Sequence, residues 1–237
     1  MKIYQIELTN VCNFDCSYCP RSEMTRKTGF MDMHTLERII DIFDGDAIRL
    51  HHFGESFMHP NITKFVHTIR NRLSSVQIIL NTNGSLINEM IITELFAVGL
   101  SKLMVSYHDF RSISKLQEIP MHLRKYVEVL FIGDDKKTEI DFLEESGFQT
   151  SVKKLRDLGG VKKEQTFDEP AEERCAFIKH NEVVIQWDGD IVPCCEVFDK
   201  QSVLGNIHDF CQVKNYEFSM CKHCQGYGND YTETERK

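Results

Sequence analysis

Strand-like and helix-like stretches alternate along the first 155 residues. Apolar side chains recur at i, i+3 and i+4 spacing in residues 33–43, which predicts a helix with one buried face. Residues 61–73, 89–98 and 141–146 predict three further helices. The predicted strands are short apolar or alternating runs at residues 3–9, 47–53, 76–80, 103–107, 127–132 and 150–155. Strands that alternate with helices in this way predict a parallel sheet.

The number of repeats limits the kind of α/β fold. Six strand–helix units are too few for a complete eight-unit barrel, so we expect a partial, open (β/α)6 barrel. Active sites of such sheets lie at the carboxyl ends of the strands. Polar residues that follow strands should therefore meet along one rim.

The pattern changes after residue 158. A charged stretch with Gly159-Gly160 and Pro170 interrupts the alternation and predicts a linker at 159–174. Beyond it, Asp188-Gly189 lies between two β-rich runs, which predicts a hairpin with a type I′ turn. We therefore expect a barrel at 1–158, a linker, a small domain at 175–228 and a polar tail at 229–237.

Composition and charge exclude several classes of protein. The 237 residues carry a net charge of −8, which argues against a broad nucleic-acid surface, since phosphate contacts need a basic field. The longest apolar runs are too short to span a bilayer, and the first nine residues lack the apolar core of a signal peptide. These features predict a cytoplasmic protein without a nucleic-acid or membrane partner.

Nine cysteines fall into two groups. Three lie between positions 12 and 19, and six lie between 175 and 224. The odd number and the lack of an export signal argue against a disulfide framework. Two clusters at opposite ends of the chain instead predict two metal sites.

The first group is Cys12, Cys16 and Cys19. Three thiolates can ligate three irons of a [4Fe–4S] cluster and leave the fourth iron open for a substrate or cofactor. Zinc is the alternative, but a structural zinc site needs four protein ligands. His34 could supply the fourth from the start of the next helix.

This motif resembles the signature of the radical S-adenosylmethionine (SAM) superfamily, Cys-x3-Cys-x2-Cys after the first barrel strand, with the aromatic Tyr18 before the third cysteine. The resemblance implies a SAM-binding [4Fe–4S] cluster. Phe53-Gly54-Glu55-Ser56 occupies the place of the family's Gly-Gly-Glu-Pro, which holds the amino group of SAM. Phe53 and Ser56 depart from that pattern, whereas Gly54 and Glu55 match it. Glu55 could otherwise be an ordinary strand-end carboxylate.

Two further strand ends match family positions. Thr82-Asn83-Gly84 resembles the Thr-Asn-Gly that closes the third strand near the methionyl and ribose parts of SAM, although it could be a simple turn. Ser106 and His108 stand where the family places polar ribose or substrate contacts, although a lone histidine is more often structural. Arg49 and Arg156 could bind a polar or anionic substrate, or could be surface charges.

The second group contains Cys175, Cys194, Cys221 and Cys224. It resembles the auxiliary-cluster domain of the SPASM/twitch branch, in which a hairpin with Gly-x4-Cys and a distal Cys-x2-Cys hold a second [4Fe–4S] cluster. A structural zinc ribbon would use the same four thiols. Adjacent cysteines in a strand face opposite ways, so Cys194 is preferred over Cys195 as the ligand. Cys195 and Cys211 are left over.

The resemblance implies that SAM is cleaved to a 5′-deoxyadenosyl radical, which takes hydrogen from a small-molecule substrate. It also implies an external donor of the flavodoxin or ferredoxin type. The layout is similar to that of the twitch-type dehydrogenases of aminocyclitol biosynthesis, which act on a deoxy-scyllo-inosamine. It therefore predicts alcohol oxidation of a sugar or cyclitol with the auxiliary cluster as electron acceptor. Glu196 could remove the hydroxyl proton.

Two alternatives remain open at the level of sequence. The chain could be a radical SAM maturase that crosslinks a ribosomal peptide, although a start at the first strand leaves no room for an N-terminal peptide-recognition domain. It could also be a non-catalytic protein with two structural metal sites. Glu55, Thr82-Asn83-Gly84 and the missing fourth ligand at the first site argue against the latter.

Overall fold

A computed structural model of the chain describes residues 1–107, 111–132, 136–153, 173, 175–209, 221 and 224. Within those residues the strands are β1 Lys2–Ile6, β2 Ala47–Leu50, β3 Gln77–Thr82, β4 Lys102–Tyr107, β5 Val127–Ile132, β6 Gln149–Lys153, β7 Glu182–Ile185, β8 Asp190–Val192 and β9 Gly205–Asn206. The α-helices are α1 Met33–Ile42, α2 Ile62–Arg72, α3 Glu89–Ala97, α4 Arg111–Gln117, α5 Lys137–Glu145 and α6 Ala176–His180.

All described strands belong to one sheet in the order β6-β5-β4-β3-β2-β1-β7-β8-β9. Each pair from β1 through β6 is parallel. The predicted partial (β/α)6 barrel is therefore confirmed. Because neighbouring parallel strands end at one edge, the loops after β1, β2 and β3 lie along a common rim with the end of β4.

The main core lies between the sheet and its helices. Residues alternate along β2, β3 and β4, so that Leu50, Leu80 and Val105 are buried while their neighbours in the strands are half-exposed. The buried faces share one hydrophobic cluster with the apolar faces of α1, α2 and α3. Each fully buried Leu, Ile or Phe side chain contributes about 1.5–3 kcal/mol, which exceeds any helix propensity in these short helices.

α1 and α3 begin at the predicted residues, Met33 and Glu89, and a polar side chain caps each of them. The Asp32 side chain accepts a 2.7 Å hydrogen bond from the Thr35 N–H at the start of α1, and Asn88 accepts one of 3.0 Å from Ile91 at the start of α3. Both bonds satisfy amide groups that the first helical turn leaves without a backbone partner. The two helices present their apolar faces to the sheet.

The C-terminal hairpin continues the barrel sheet. β7 pairs with β1 in parallel, with Ile6 opposite Ile185, and β8 and β9 follow antiparallel. β1 is therefore an interior strand, and the hairpin contacts it directly. The predicted linker at 159–174 falls outside the described residues except for Glu173. The predicted domain boundaries remain a prediction.

The prediction of a type I′ hairpin turn was wrong. Such a turn needs positive φ at two central residues, but Gly189 has φ +86° while Trp187 and Asp188 do not have positive φ. The Gly189 N–H donates to the Gln186 carbonyl at 2.9 Å. The loop is therefore a three-residue connection, in which a turn with negative φ is followed by a left-handed glycine.

Several predicted bounds also differ. The first two strands end earlier than predicted, at Ile6 and Leu50, because the chain beyond them turns into the rim loops. α5 begins at Lys137, four positions before the predicted start. α4 and α6 were not predicted, since seven and five residues are too short to show a periodic pattern. No helix among the described residues has the length and apolarity needed to cross a membrane.

Substitution of Gly189 tests the hairpin. A Cβ at this position would meet Ile207 Cγ2 at 2.9 Å, in addition to the positive φ of +86°. We expect Gly189→Ala to lower the free energy of unfolding by more than the roughly 1–3 kcal/mol of backbone strain alone. Gly147→Ala is the matched control, because its φ is +90° but its Cβ would have no neighbour closer than 3.9 Å. Equal losses in urea denaturation of the two variants would contradict the close approach at Gly189.

Candidate functional site

The loop after β1 carries the first three cysteines on a compact turn. The Cys19 N–H donates to the Cys16 carbonyl at 3.0 Å, and the Phe14 N–H donates to Cys12 Sγ at 3.4 Å. Arg21 supports the loop with a 2.7 Å hydrogen bond to the Phe14 carbonyl. The side chains of the three cysteines are half-buried, so that they reach both the protein interior and the rim.

The three thiols of this loop lie within electrostatic reach of one another. Burial raises the pKa of the Cys12 and Cys19 thiols, and the charge of Cys16 raises both further. A bound metal reverses this effect, because it stabilises the thiolate form. Three soft thiolate donors without a fourth cysteine in the loop fit an iron–sulfur cluster with one open iron.

Tyr18 stands beside the same thiols and is 52% exposed. Burial of its hydroxyl group and the neighbouring thiolates of Cys16, Cys19 and Cys12 raise the pKa of Tyr18.

The turn after β3 is bonded to the cysteine loop. Asn83 Nδ2 donates to Asn13 Oδ1 at 2.9 Å, and Asn13 Nδ2 donates to Ser85 Oγ at 2.9 Å. Ser85 Oγ in turn donates to Asn83 Oδ1 at 2.6 Å. Asn83 Nδ2 also lies 4.0 Å from Cys12 Sγ. Asn83, which the sequence marked as a candidate SAM-binding residue, therefore holds the cysteine loop against the end of β3.

Glu55 lies at the end of the β2 loop and is 1% exposed. Its Oε1 accepts from the Phe57 N–H at 3.0 Å and from Thr82 Oγ1 at 2.7 Å, and its Oε2 accepts from the Asn83 N–H at 2.7 Å. Burial raises the pKa of the Glu55 carboxyl, and the three hydrogen bonds oppose that shift. Glu55 thus ties the loop after β2 to the end of β3.

Gly54 is required by a close approach of two backbones. A Cβ at this position would stand 2.1 Å from the Thr9 carbonyl oxygen. The next residue, Glu55, donates its N–H to the Val11 carbonyl at 2.8 Å. The β2 loop therefore packs directly on the start of the cysteine loop, which gives Gly54 a structural role whatever it contacts in a ligand.

Two of the remaining predicted site residues, Ser106 and Arg49, lie on strands of the sheet. Ser106 is half-buried on β4 opposite Leu130 of β5, and His108 lies outside the described residues. The Arg49 guanidinium lies over the Tyr4 ring, 4.4 Å from its centroid, on the face of the sheet opposite the main core. Arg156 lies outside the described residues.

The second thiol set lies at the hairpin. Burial raises the pKa of the Cys194 thiol well above its usual value, and the charges of Glu196, Cys175 and Cys224 raise it further. Cys175, Cys194 and Cys224 therefore lie close enough to affect one another, and Cys175 also packs on the small cluster formed around Phe177, Val184, Val192 and Val197. Cys221 is half-buried. Cys211 lies outside the described residues.

Cys195 and Glu196 follow Cys194 directly. Cys195 Sγ lies 3.6 Å from Glu196 Oε1, and the Cys195 carbonyl accepts a 2.9 Å hydrogen bond from His52 Nε2. Among the described residues, no three His, Cys, Asp or Glu side chains converge on one point as the ligands of a single metal ion do. The assignment of each thiol set to a cluster therefore rests on the number and softness of its donors and on the family described below.

A buried ion-pair network near both thiol sets had no signature in the sequence. Glu7, which follows β1, receives two hydrogen bonds from the Arg26 guanidinium, at 2.7 and 2.5 Å, and both side chains are fully buried. His52 Nδ1 lies 3.3 Å from Glu7 Oε1, and the Trp187 N–H donates to Glu7 Oε2 at 3.2 Å. The one hint in the sequence is the position of Glu7, a charged residue next to the apolar residues of the first predicted strand.

A partial barrel with a three-thiol loop after its first strand, followed by a hairpin with further thiols, defines a radical SAM fold with an auxiliary-cluster domain. The family model of the radical SAM superfamily matches residues 6–131, and that of the SPASM iron–sulfur cluster-binding domain matches residues 175–225. The chain belongs to the radical SAM superfamily. Membership implies a SAM-binding [4Fe–4S] cluster and an auxiliary iron–sulfur cluster, as predicted from the sequence.

Similar proteins include the S-adenosyl-L-methionine-dependent 2-deoxy-scyllo-inosamine dehydrogenase of Niallia circulans, which is 26% identical over 208 residues, or 86% of this chain and 77% of that protein. The crystal structure of BtrN in complex with AdoMet and 2-DOIA matches with a TM-score of 0.60 at 23% identity, over 93% of this chain and 85% of that one. Streptococcus suis SuiB bound to precursor peptide SuiA matches with a TM-score of 0.61 at 14% identity, over 93% and 66% of the two chains.

The ion pair of Glu7 predicts a specific dependence of stability on pH. Burial alone would raise the pKa of the Glu7 carboxyl, but His52 and Arg26 outweigh it and lower the pKa from 4.5 to about 2. A carboxyl whose pKa is lower in the folded state stabilises the fold above its unfolded pKa. That stability is lost as the pH falls from about 4.5 towards 2.

Glu7→Gln should therefore cost about 3–5 kcal/mol near neutral pH, because the Arg26 charge stays buried without its partner. The variant should also lose less further stability than the parent protein as the pH falls below about 4.5. Urea unfolding of cluster-free samples across this pH range measures both effects. Asp41→Asn is the control, since its ion pair with Arg72 is half-exposed. Equal pH profiles for Glu7→Gln and the parent protein would contradict the assignment.

Proposed function

We propose that this chain is a radical SAM dehydrogenase that oxidises a hydroxyl group of a small polar molecule of the sugar or cyclitol class. The observation that carries the proposal is a second set of four thiols, Cys175, Cys194, Cys221 and Cys224, of which Cys194 comes just after the hairpin that pairs with the strand leading to the three-thiol loop. A cluster held by four cysteines has no open iron, which suits it to accept an electron rather than to bind substrate.

The similarity to the Niallia circulans dehydrogenase supports the same reading, since it extends over 86% of this chain and includes the hairpin region. When bound, the SAM cluster supplies a 5′-deoxyadenosyl radical and the auxiliary cluster supplies an electron acceptor. The substrate then loses a hydrogen atom from carbon, a proton from its hydroxyl group and one electron to the acceptor, which leaves a ketone. We expect the physiological reductant to be an external donor of the flavodoxin or ferredoxin type.

In this proposal the described residues at the rim bind the first cluster, hold the cysteine loop in place and bind SAM. Cys12, Cys16 and Cys19 hold the first cluster, and Tyr18 flanks it. Asn83 keeps the cysteine loop on β3 through Asn13. Glu55, whose Oε2 has one hydrogen-bond donor among the described residues, accepts from the amino group of SAM.

The remaining roles are those of the barrel wall and the hairpin. Thr82, Gly54 and Ser106 shape the wall beside SAM, and His108, which is outside the described residues, is assigned to ribose or substrate contact from its place in the sequence alone. Cys175, Cys194, Cys221 and Cys224 hold the auxiliary cluster, within a domain at 175–228 that follows the barrel at 1–158.

The test begins with anaerobic reconstitution. Two [4Fe–4S] clusters predict about eight irons per chain, which should fall to about four when Cys12, Cys16 and Cys19 are all changed to alanine. The parent protein should form 5′-deoxyadenosine from SAM and dithionite, and the triple variant should not. A cluster-loaded parent protein that forms no 5′-deoxyadenosine would overturn the enzymatic proposal, and zinc with four irons would reassign the hairpin site.

The substrate class needs a separate measurement. We expect 2-deoxy-scyllo-inosamine that carries deuterium at its hydroxyl-bearing carbons to transfer deuterium into 5′-deoxyadenosine and to yield a ketone. Deuterium transfer without a ketone would show that the enzyme abstracts hydrogen from this substrate but does not oxidise its alcohol. Turnover of a peptide into a crosslinked product, with no oxidation of any cyclitol or sugar, would replace the dehydrogenase by a peptide maturase.

Glu196 is the proposed base for the hydroxyl proton, because it lies beside Cys194 at the hairpin. Glu196→Gln should retain 5′-deoxyadenosine formation while ketone formation falls by about 10²–10⁴-fold. Glu118→Gln is the control, since this exposed carboxylate pairs with Lys115 on the surface. Ketone formation at the parental rate in Glu196→Gln would eliminate the assignment.

A further inference from the structure

The Glu7–Arg26–His52 network spans the gap between the cysteine loop and the hairpin. Glu7 directly follows β1, the strand that leads into Cys12, Arg26 lies beyond Cys19, and His52 follows β2. All three side chains are almost fully buried, with 0–2% of their side-chain surface exposed. Glu7 contacts the hairpin loop at the Trp187 N–H, and Arg26 and His52 contact the segment that follows Cys194.

Two donors of this network reach backbone carbonyls on that segment. His52 Nε2 donates to the Cys195 carbonyl at 2.9 Å, and Arg26 Nε donates to the Phe198 carbonyl at 2.8 Å. Glu7 accepts from the Arg26 guanidinium and lies beside the other ring nitrogen of His52, so that one carboxylate orients both donors. The segment 195–198 is therefore held at both ends by barrel side chains.

Neighbouring contacts extend the attachment on either side. Asp199 Oδ2 accepts from Thr25 Oγ1 at 2.6 Å and from the Thr25 N–H at 3.1 Å. A Cβ on Gly29 would stand 2.5 Å from the Trp187 ring, so the indole lies flush against the loop that follows the cysteines. The chain between Cys19 and α1 thus contacts the hairpin loop at Trp187 and the segment beyond the hairpin at Phe198 and Asp199.

We propose that Glu7, Arg26 and His52 are positioning residues for the auxiliary cluster, because they fix the Cys194 segment against the rim that holds the first cluster. The proposal rests on the assignment of Cys194 as a ligand. It does not depend on the substrate. An electron acceptor must be held at a fixed distance from the substrate. The network fixes the position of the Cys194 segment through hydrogen bonds to two backbone carbonyls.

Stability alone does not explain why these three charged or polar side chains are buried here. Burial of an ion pair has a desolvation cost that its attraction often fails to recover, and apolar residues of similar size commonly stabilise as well or better. Directed hydrogen bonds to particular carbonyls give what apolar packing cannot, which is a fixed orientation. Cluster potentials respond to hydrogen bonding, charge and solvent exposure, so a displaced segment should alter the auxiliary cluster selectively.

The experiment compares conservative variants of the reconstituted protein. Arg26→Lys keeps the charge that pairs with Glu7 but removes the guanidinium that also reaches the Phe198 carbonyl. His52→Ala removes the donor to Cys195, whereas His52→Gln keeps an amide donor at a similar reach. Arg72→Lys, in the half-exposed pair with Asp41, is the matched control. The readouts are iron content, redox titration of both clusters followed by electron paramagnetic resonance, and emission of Trp187, the only tryptophan of the chain.

Arg26→Lys and His52→Ala should keep about eight irons but shift the potential of the auxiliary cluster alone. Both should also move Trp187 emission to longer wavelength, while His52→Gln and Arg72→Lys should match the parent protein. Parental potential and emission in both Arg26→Lys and His52→Ala would overturn the proposal, even if they unfold at lower temperature. If Arg26→Lys does not fold, the contrast between His52→Ala and His52→Gln decides alone. None of these readouts needs substrate turnover, so failure of the proposed activity is distinguishable from failure of the positioning role.

Discussion

The pairing of β1 on both of its edges is the constraint on which the rest of the structure depends. β2 joins it on the barrel side and β7 on the hairpin side, both in parallel. The cysteine loop follows directly from this strand, so it emerges beside the hairpin that precedes Cys194 rather than at the margin of the sheet. Placement of Glu7 at the same strand end then brings a buried charge to the junction, where Arg26, His52 and the Trp187 amide surround it.

The rim is held together mainly by hydrogen bonds among its own residues. Glu55 receives three donors from the protein, and Asn83 connects with Asn13 and Ser85. A buried carboxylate with this many donors is fixed in position before any ligand arrives. Residues that a motif presents as ligand contacts can thus also form the scaffold that keeps the strand ends in register. Gly54 is an example, because a Cβ at this position would stand 2.1 Å from the Thr9 carbonyl oxygen.

Local patterns predicted the barrel well, and contacts between distant segments remained hidden. The alternation in β2 to β4 and the apolar spacing of α1 follow from burial on one face, which leaves a period in the sequence. The cysteine spacings indicated both thiol sets. The pairing of β1 with β7 and the contact of Glu7 with the Trp187 amide, 180 residues apart, leave no such period. The hairpin turn was misjudged because Asp-Gly suits both a two-residue turn and the end of a three-residue loop.

The continuity of the sheet also determines how the protein can be divided. A fragment without the hairpin would leave the outer edge of β1 unpaired, and a hairpin fragment would leave the corresponding edge of β7 bare. Such exposed strand edges pair readily with other chains and favour aggregation. The two thiol-bearing parts of this chain are therefore not exchangeable modules, and a graft of one onto another barrel would need a first strand with a matching free edge.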